Sequence, residues 1–171
     1  MKQPHSLRSV LVMPVLAAIL SVLMPACSGI ECPVQNTVST IYTVEKDGQT
    51  QTLEDTLWVF TRRSDDSLVL LLNGGVNLQT FQLPISLNNP CDTLFFLIAD
   101  TLHVQTLDTV WVAKEDLPQF ESVDCDAAFF HRLLSAVSTH NGIDTLVVNK
   151  DMVDYDAGTE HFHISFKKRY P

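Results

Sequence analysis

From residue 37 onward the chain offers short apolar runs broken by Asp, Asn, Gly and Pro, and almost nothing at helical spacing. That pattern constrains the fold more than any other feature. A helix needs apolar residues at three- and four-residue intervals, whereas a strand needs alternation or a brief run ended by turn residues. Ten segments qualify as strands: 37–44, 52–61, 67–73, 78–86, 93–99, 101–105, 109–114, 132–139, 143–149 and 160–167. Their length and spacing predict an all-β, antiparallel β-sandwich of about ten short strands. At most one short helical turn is expected, over 126–130, capped by Asp126.

Turn chemistry refines this picture. Lys46-Asp47-Gly48 and His140-Asn141-Gly142 carry the dipeptides that accept positive φ in tight hairpins, and Asp156-Ala157-Gly158 offers a third corner. In the run from Glu160, alternation sets Phe162, Ile164 and Phe166 on one face and His161, His163 and Ser165 on the other, so this strand is expected to bury one side only. Asp-Thr-Leu or Asp-Thr-Val recurs at Asp55, Asp92, Asp100, Asp108 and Asp144. A ring of carboxylates for Ca²⁺ is one reading. Asp closing each turn and Thr opening each strand is the favoured one, because neighbouring antiparallel strands send residues eight apart to opposite ends of the sheet.

The segment before the strands is of another kind. Lys2 and Arg8 precede an apolar run over 10–23 that is shorter than a membrane span and broken by Pro14, the layout of an export signal. Residues 1–26 are therefore expected to be a cleaved signal helix, 27–36 a tether and 37–171 a single domain. Small Ala26 before Cys27 resembles the bacterial lipoprotein processing site, which implies lipid on Cys27; ordinary cleavage with secretion is the alternative. Losing Lys2 and Arg8 takes the formal charge from −9 to −11. So acidic a domain is a poor nucleic-acid binder, and the short basic run Lys167-Lys168-Arg169 reads as a solvated strand end.

Four cysteines are present, and lipid on Cys27 leaves Cys32, Cys91 and Cys125 in an oxidising compartment. Their wide separation lacks the paired spacing of a zinc site. One disulfide and one buried free thiol are expected. Turn-like surroundings favour pairing Cys32 with Cys125, a closure worth about 4 to 5 kcal/mol in the chain-entropy model, while Cys91 opens an apolar strand.

Signals for chemistry are sparse. His161 and His163 share a strand face and suit two metal ligands, with His131 or His140 as third partners. Asp151, Asp154, Asp156 and Glu160 form an acidic loop whose spacing fails the EF-hand template. These are weak metal candidates, and no cofactor is expected. The sequence carries no Gly-x-Ser-x-Gly elbow, phosphate loop or His-Glu-x-x-His, so no catalytic residue is assigned.

Three segments together carry a family likeness: Glu31-Cys32-Pro33-Val34-Gln35-Asn36-Thr37-Val38, Phe120-Glu121-Ser122-Val123-Asp124-Cys125 with Phe129-Phe130-His131, and Glu160-His161-Phe162-His163-Ile164. They resemble a family of small Bacteroidetes lipoproteins of unknown function. The resemblance implies an envelope lipoprotein, and it brings Cys32 and Cys125 forward as the cysteines of the family pattern. Ser28-Gly29-Ile30 lacks the acidic run that often accompanies surface display, so an outer-membrane lipoprotein facing the periplasm is expected. The leading functional expectation is a non-enzymatic binding or assembly module with an envelope protein or glycan partner. A Ca²⁺- or Zn²⁺-binding sandwich is the alternative, and an envelope hydrolase a distant one.

Overall fold

The computed structural model describes residues 38–87, 89–102, 104–120 and 127–168. Cys27, Cys32, Cys125, Asp126 and the signal segment lie outside the described residues, and so do the lipidation and disulfide expectations. All described residues fall within one compact unit, Cys32–Pro171. They form eleven strands and no helix. These are β1 (Ser39–Lys46), β2 (Gln49–Thr50), β3 (Thr56–Arg62), β4 (Leu68–Gly75), β5 (Thr80–Pro84), β6 (Cys91–Ala99), β7 (Gln105–Gln119), β8 (Ala128–Ser138), β9 (Ile143–Val148), β10 (Met152–Val153) and β11 (Phe162–Phe166).

Two sheets pack face to face as a sandwich. One runs β2-β1-β11-β9, with β5 also on β1, and the other β10-β8-β7-β6-β3-β4. Between them lie Tyr42, Phe81 and Phe162 from the first sheet and Leu57, Val59, Phe96, Ile98 and Val110 from the second. Tyr42 stacks on Phe81 and Phe162 with ring centroids 4.9 and 4.6 Å apart, and Phe96 meets Tyr42 from the opposite sheet at 6.1 Å. Such ring pairs add about 0.5–1.5 kcal/mol each beyond the area they bury. Burial pushes the Tyr42 phenol far above its ordinary pKa, against the lowering effect of a hydrogen bond with Thr40.

Several expectations are corrected. The sandwich is antiparallel except for β1 and β11, which pair in parallel through Tyr42↔Phe162 and Val44↔Ile164. Strands close to the two ends of the domain meet there, so the crossover that a parallel pair requires is nearly the whole domain. Thr101, Leu102 and Val104 do not form the strand expected over 101–105, and Gln105 opens β7 instead. Asp100 Oδ1 accepts the N–H groups of Leu102 at 2.8 Å and Val104 at 2.9 Å, which winds this segment into the β6–β7 turn. The helical turn is replaced over Ala128–Phe130 by the start of β8, because β7 continues past Lys114 and Leu117, Pro118 and Gln119 offer Phe130, Phe129 and Ala128 direct partners.

The turns divide in the same way. Asp47 and Gly48 take φ of 53° and 74° in the β1–β2 hairpin, as their sequence predicts. At His140-Asn141-Gly142 no hairpin forms: β8 and β9 belong to different sheets, and the positive φ, 55°, falls on His140. Gly142 is required instead by lack of room, since a Cβ there would lie 2.9 Å from Ile98 Cδ1 and 3.3 Å from Asp108 Oδ2.

Candidate functional site

The inward-facing phase of the six-stranded sheet is apolar in its middle and charged towards both ends. On β7 the inward residues are Asp108, Val110, Val112, Lys114 and Asp116, with a bulge between Ala113 and Lys114. Asp108 is fully buried. Its Oδ1 accepts Thr139 Oγ1 and the Asn141 N–H, both at 2.7 Å, and its Oδ2 accepts the N–H groups of Gly142 at 2.6 Å and Ile143 at 2.8 Å. Burial raises this carboxyl's pKa, but the four donors outweigh it and hold the group below its usual range. Asp108 thereby clamps the crossing of the chain from one sheet to the other.

Towards the opposite end, Lys114 and His131 are buried on either side of Asp116. Lys114 Nζ donates to Asp116 Oδ1 at 2.5 Å, and His131 Nδ1 lies 2.7 Å from the same oxygen. Asp116 and His131 are direct register partners, so the β7–β8 ladder itself sets this geometry. Burial lowers the His131 pKa, Asp116 opposes that, and the Lys114 charge reinforces it. A neutral imidazole follows, with the proton on Nδ1 and a bare Nε2 that has no hydrogen-bond partner among the described residues. Burial likewise raises Asp116, yet bonding and charge from Lys114 and His131 bring its pKa below normal. A carboxylate orienting an imidazole is catalytic geometry only where a substrate can reach the free nitrogen. Here that nitrogen is enclosed, so the cluster acts as an internal charge-balanced strut.

The weak metal candidates are distributed rather than assembled. His161 is fully buried; its Nδ1 accepts the Ile41 N–H at 3.0 Å, and its own N–H bonds Ile41 O at 2.9 Å. Burial and the Lys150 charge lower its pKa, against a raising contribution from the Met152 backbone. His163 is half-buried between Glu45, 3.3 Å from Nδ1, and Glu160, 3.5 Å from Nε2. With His161 buried just before β11 and His163 half-buried within it, this strand buries both faces, contrary to the one-sided expectation: Ser165 is buried too, bonded to Thr145 Oγ1 at 2.7 Å.

His131 belongs to the Asp116 cluster, and the exposed His140 meets Asp144 O at 3.1 Å. In the acidic loop Lys150 already occupies the place of a cation, 3.4 Å from Asp154 and 3.0 Å from Asp156. Asp156 is lowered to about 2, first by the Gly158 N–H and then by Lys150 and Thr159. Asp151 serves through its backbone, accepting the Leu133 N–H at 2.7 Å. Among the described residues no group of three or more His, Cys, Asp or Glu is arranged to hold a metal ion.

The Asp-Thr repeat keeps the expected place only at Asp55, directly before β3: Asp92, Asp108 and Asp144 lie within β6, β7 and β9 and Asp100 opens the β6–β7 turn, and the carboxylates of Asp92, Asp100 and Asp108 accept nearby or crossing N–H groups. Asp92 also bonds Ser86 Oγ. Cys91 is a correction: the thiol is free and exposed, not buried. Asp92, Leu94, Phe96 and Ile98 take the inward phase of β6, which leaves Cys91 on the outward one.

Sequence reasoning missed the outer face of the six-stranded sheet. Register places Trp58 beside Leu97 and Leu97 beside Leu107 in one row. Leu70, Phe60 and Phe95 make the next, and Trp111 pairs with Val137. Both tryptophans of the chain lie in these outward rows. Trp111 is 41% exposed, Leu107 51%, Val137 54% and Leu70 45%, so the patch faces water. The unbroken runs 94–99 and 68–72 were the available signal, since strands buried on both faces read as continuous apolar stretches. Elsewhere, a groove of about 410 Å³ beside the ends of β1 and β11 mixes Glu45, Glu54 and Asp55 with Lys46, Lys167 and Lys168.

A family model described as a family of unknown function, DUF6452, matches residues 56–166. The chain belongs to the DUF6452 family. The DUF6452 match starts at the first residue of β3 and ends at the last residue of β11, so it takes in the whole six-stranded sheet, both buried clusters and the outer apolar face. No curated protein and no solved structure matches the chain.

Proposed function

We propose that this chain is a non-enzymatic binding or assembly module of the bacterial cell envelope, carried on the outer membrane by lipid at Cys27 and facing the periplasm. Its six-stranded sheet receives another envelope component. The observation that carries the reading is the apolar outer face: aromatic and aliphatic side chains in register across β3, β4, β6, β7 and β8, half-buried on β3 and β6 and exposed at Leu70, Leu107, Trp111 and Val137. Contiguous apolar surface of this kind marks a place where something else is meant to sit. Leucine and valine between the aromatics favour a protein surface over a glycan, which stacks on bare rings. The Ala26-Cys27 junction and the resemblance to Bacteroidetes lipoproteins support the envelope location.

The test places a photo-crosslinking residue at Leu107 or Trp111 in intact cells, with the exposed Val147 of β9 as control. Discrete protease-sensitive adducts from the first two positions, absent from the third, are expected. Equal labelling at all three, or none, overturns the reading; adducts removed by glycan hydrolases instead of proteases replace the partner class. Cys27→Ser is expected to leave the membrane fraction, and its retention there refutes the anchor.

A further inference from the structure

We propose that the connection between β9 and β11, residues 149–161, is an acid-released strap, latched to β1 by His161 and let go when that imidazole takes up a proton. It includes no residue of the outer apolar face and is a device separate from the binding reading above. Both ends of the connection meet at His161, whose carbonyl accepts the N–H groups of Asn149 at 2.8 Å and Lys150 at 3.4 Å. His161 in turn holds β1 twice: its backbone N–H donates to Ile41 O at 2.9 Å, and its Nδ1 accepts the Ile41 N–H at 3.0 Å. Between these ends the chain crosses to the other sheet. There Met152 and Val153 pair with Arg132 and His131 as β10, and Asp151 O accepts the Leu133 N–H at 2.7 Å. Of residues 149–161 only Val153 and His161 are buried, so little apolar packing opposes lifting the segment as a unit.

The latch holds only with a neutral ring. An Nδ1 that accepts a backbone N–H carries no proton of its own, so the neutral His161 imidazole has its hydrogen on Nε2. Protonation turns Nδ1 into a donor facing the Ile41 donor. A buried backbone N–H then loses its acceptor and a charge is enclosed beside it, and lifting the strap relieves both. Burial lowers the pKa of this ring, so the proton is bound better once the strap is open and the imidazole meets water. The strap's own charges divide: Lys150 opposes protonation, Asp154 and Asp156 favour it, and Lys150 is engaged with both carboxylates. On β1 the Tyr42 phenol is kept neutral by burial, and on β11 His163 lies between Glu45 and Glu160. On β8 His131, the register partner of Val153, is bound to Asp116, which also holds Lys114, while Asp92 acts on it from β6. Burial lowers His131 as well, so acid works on both rings in the same direction. Release uncovers the edge of β8 that Asp151, Met152 and Val153 now cover.

The test is amide hydrogen exchange of the purified full chain between pH 8 and pH 5, read by NMR with rates corrected for the chemical effect of pH. Protection over 149–161 and at Ile41 and Leu133 is expected to fall about tenfold in acid, while β6 and β7 keep theirs within about twofold. His161→Gln, whose side-chain oxygen accepts the Ile41 N–H without titrating, is expected to remove the response. Val153→Ala is expected to speed exchange over the strap at both pH values and keep their ratio; thermal melting checks that each variant folds. In the wild type the onset of faster exchange is expected near 6.5, the ordinary imidazole value, and an onset only below pH 5 overturns a histidine latch whatever the variants do. Equal loss of protection over 149–161 and over β6 and β7 is global unfolding and overturns the strap. A response that survives in folded His161→Gln overturns His161 as its latch.

Discussion

Asp108→Asn tests how the two sheets are joined. The side chain keeps its shape, but one carboxylate oxygen becomes an NH₂ group. Each oxygen accepts two donors, Thr139 Oγ1 and Asn141 N on one and Gly142 N and Ile143 N on the other, so two bonds are lost whichever way the amide turns. The site is fully buried, and no solvent replaces them. A hydrogen bond to a charged group is worth about 1.5–3 kcal/mol net, and partial relaxation of the crossing leaves an expected loss of about 4 kcal/mol. That is a large share of the roughly 5–15 kcal/mol that holds a domain together.

Urea unfolding at pH 7 reads the loss directly, and a pH series separates charge from shape. The four donors keep the folded Asp108 pKa below its ordinary 3.8, against the raising effect of burial. A carboxyl depressed in this way stabilises the fold above about 3.8, and that contribution disappears as the pH falls through the folded value. The gap between wild type and Asp108→Asn is therefore expected to narrow below pH 3.8. A gap under about 1 kcal/mol at pH 7, or one that does not narrow in acid, refutes the clamp.

Three further outcomes follow from the same geometry. His131 and His161 are both lowered from 6.5, first by burial, so the unfolded chain takes up these protons first. Stability should decline as pH falls below about 6.5 and level off beneath the folded values, and a urea midpoint constant from pH 8 to 5 would contradict this. Asp116→Ala strands the buried Lys114 charge and is expected to cost about 3–5 kcal/mol, more than Lys114→Met, which leaves a half-exposed carboxylate still bonded to His131. Chemical denaturation of both variants fixes the order, and the reverse order rejects it. Gly142→Ala forces a Cβ against Ile98 and is expected to cost about 1–3 kcal/mol, whereas Gly48→Ala meets open space and suffers about 1 kcal/mol from its φ of 74° alone. Equal melting temperatures for the two would remove the packing explanation for Gly142.

Fold class was legible because strand signals are local. Alternation in β11 and the Asp47-Gly48 turn need no knowledge of distant residues. The errors arose where a distant partner decides. Ala128–Phe130 is helix-like by composition, yet the overhang of β7 takes it into a ladder. Asn141-Gly142 has the dipeptide of a hairpin, yet Asp108, more than thirty residues away, captures its N–H groups and turns it into a crossing between sheets. The pairing of Asp116 with His131 was equally hidden, since β7 was expected to stop at Lys114 and the cluster exists only because it continues.

The outer face raises a sharper point about reading strands. Alternation identifies the core when one face of a sheet is polar, and in β6 it does not, because Phe95 and Leu97 are as apolar as Phe96 and Ile98. The charges even point the other way: Asp92, Asp108 and Lys114 take the inward phase while Trp58 and Trp111 look outward. A sheet that has to be wetted on one side does not carry large apolar residues in register across several of its strands. On the same sheet β4 is likewise free of charge and proline, and its pairing with β3 is interrupted by two bulges. The binding surface proposed above therefore lies on the outward rows of β3, β4, β6, β7 and β8, away from the histidines and the acidic loop.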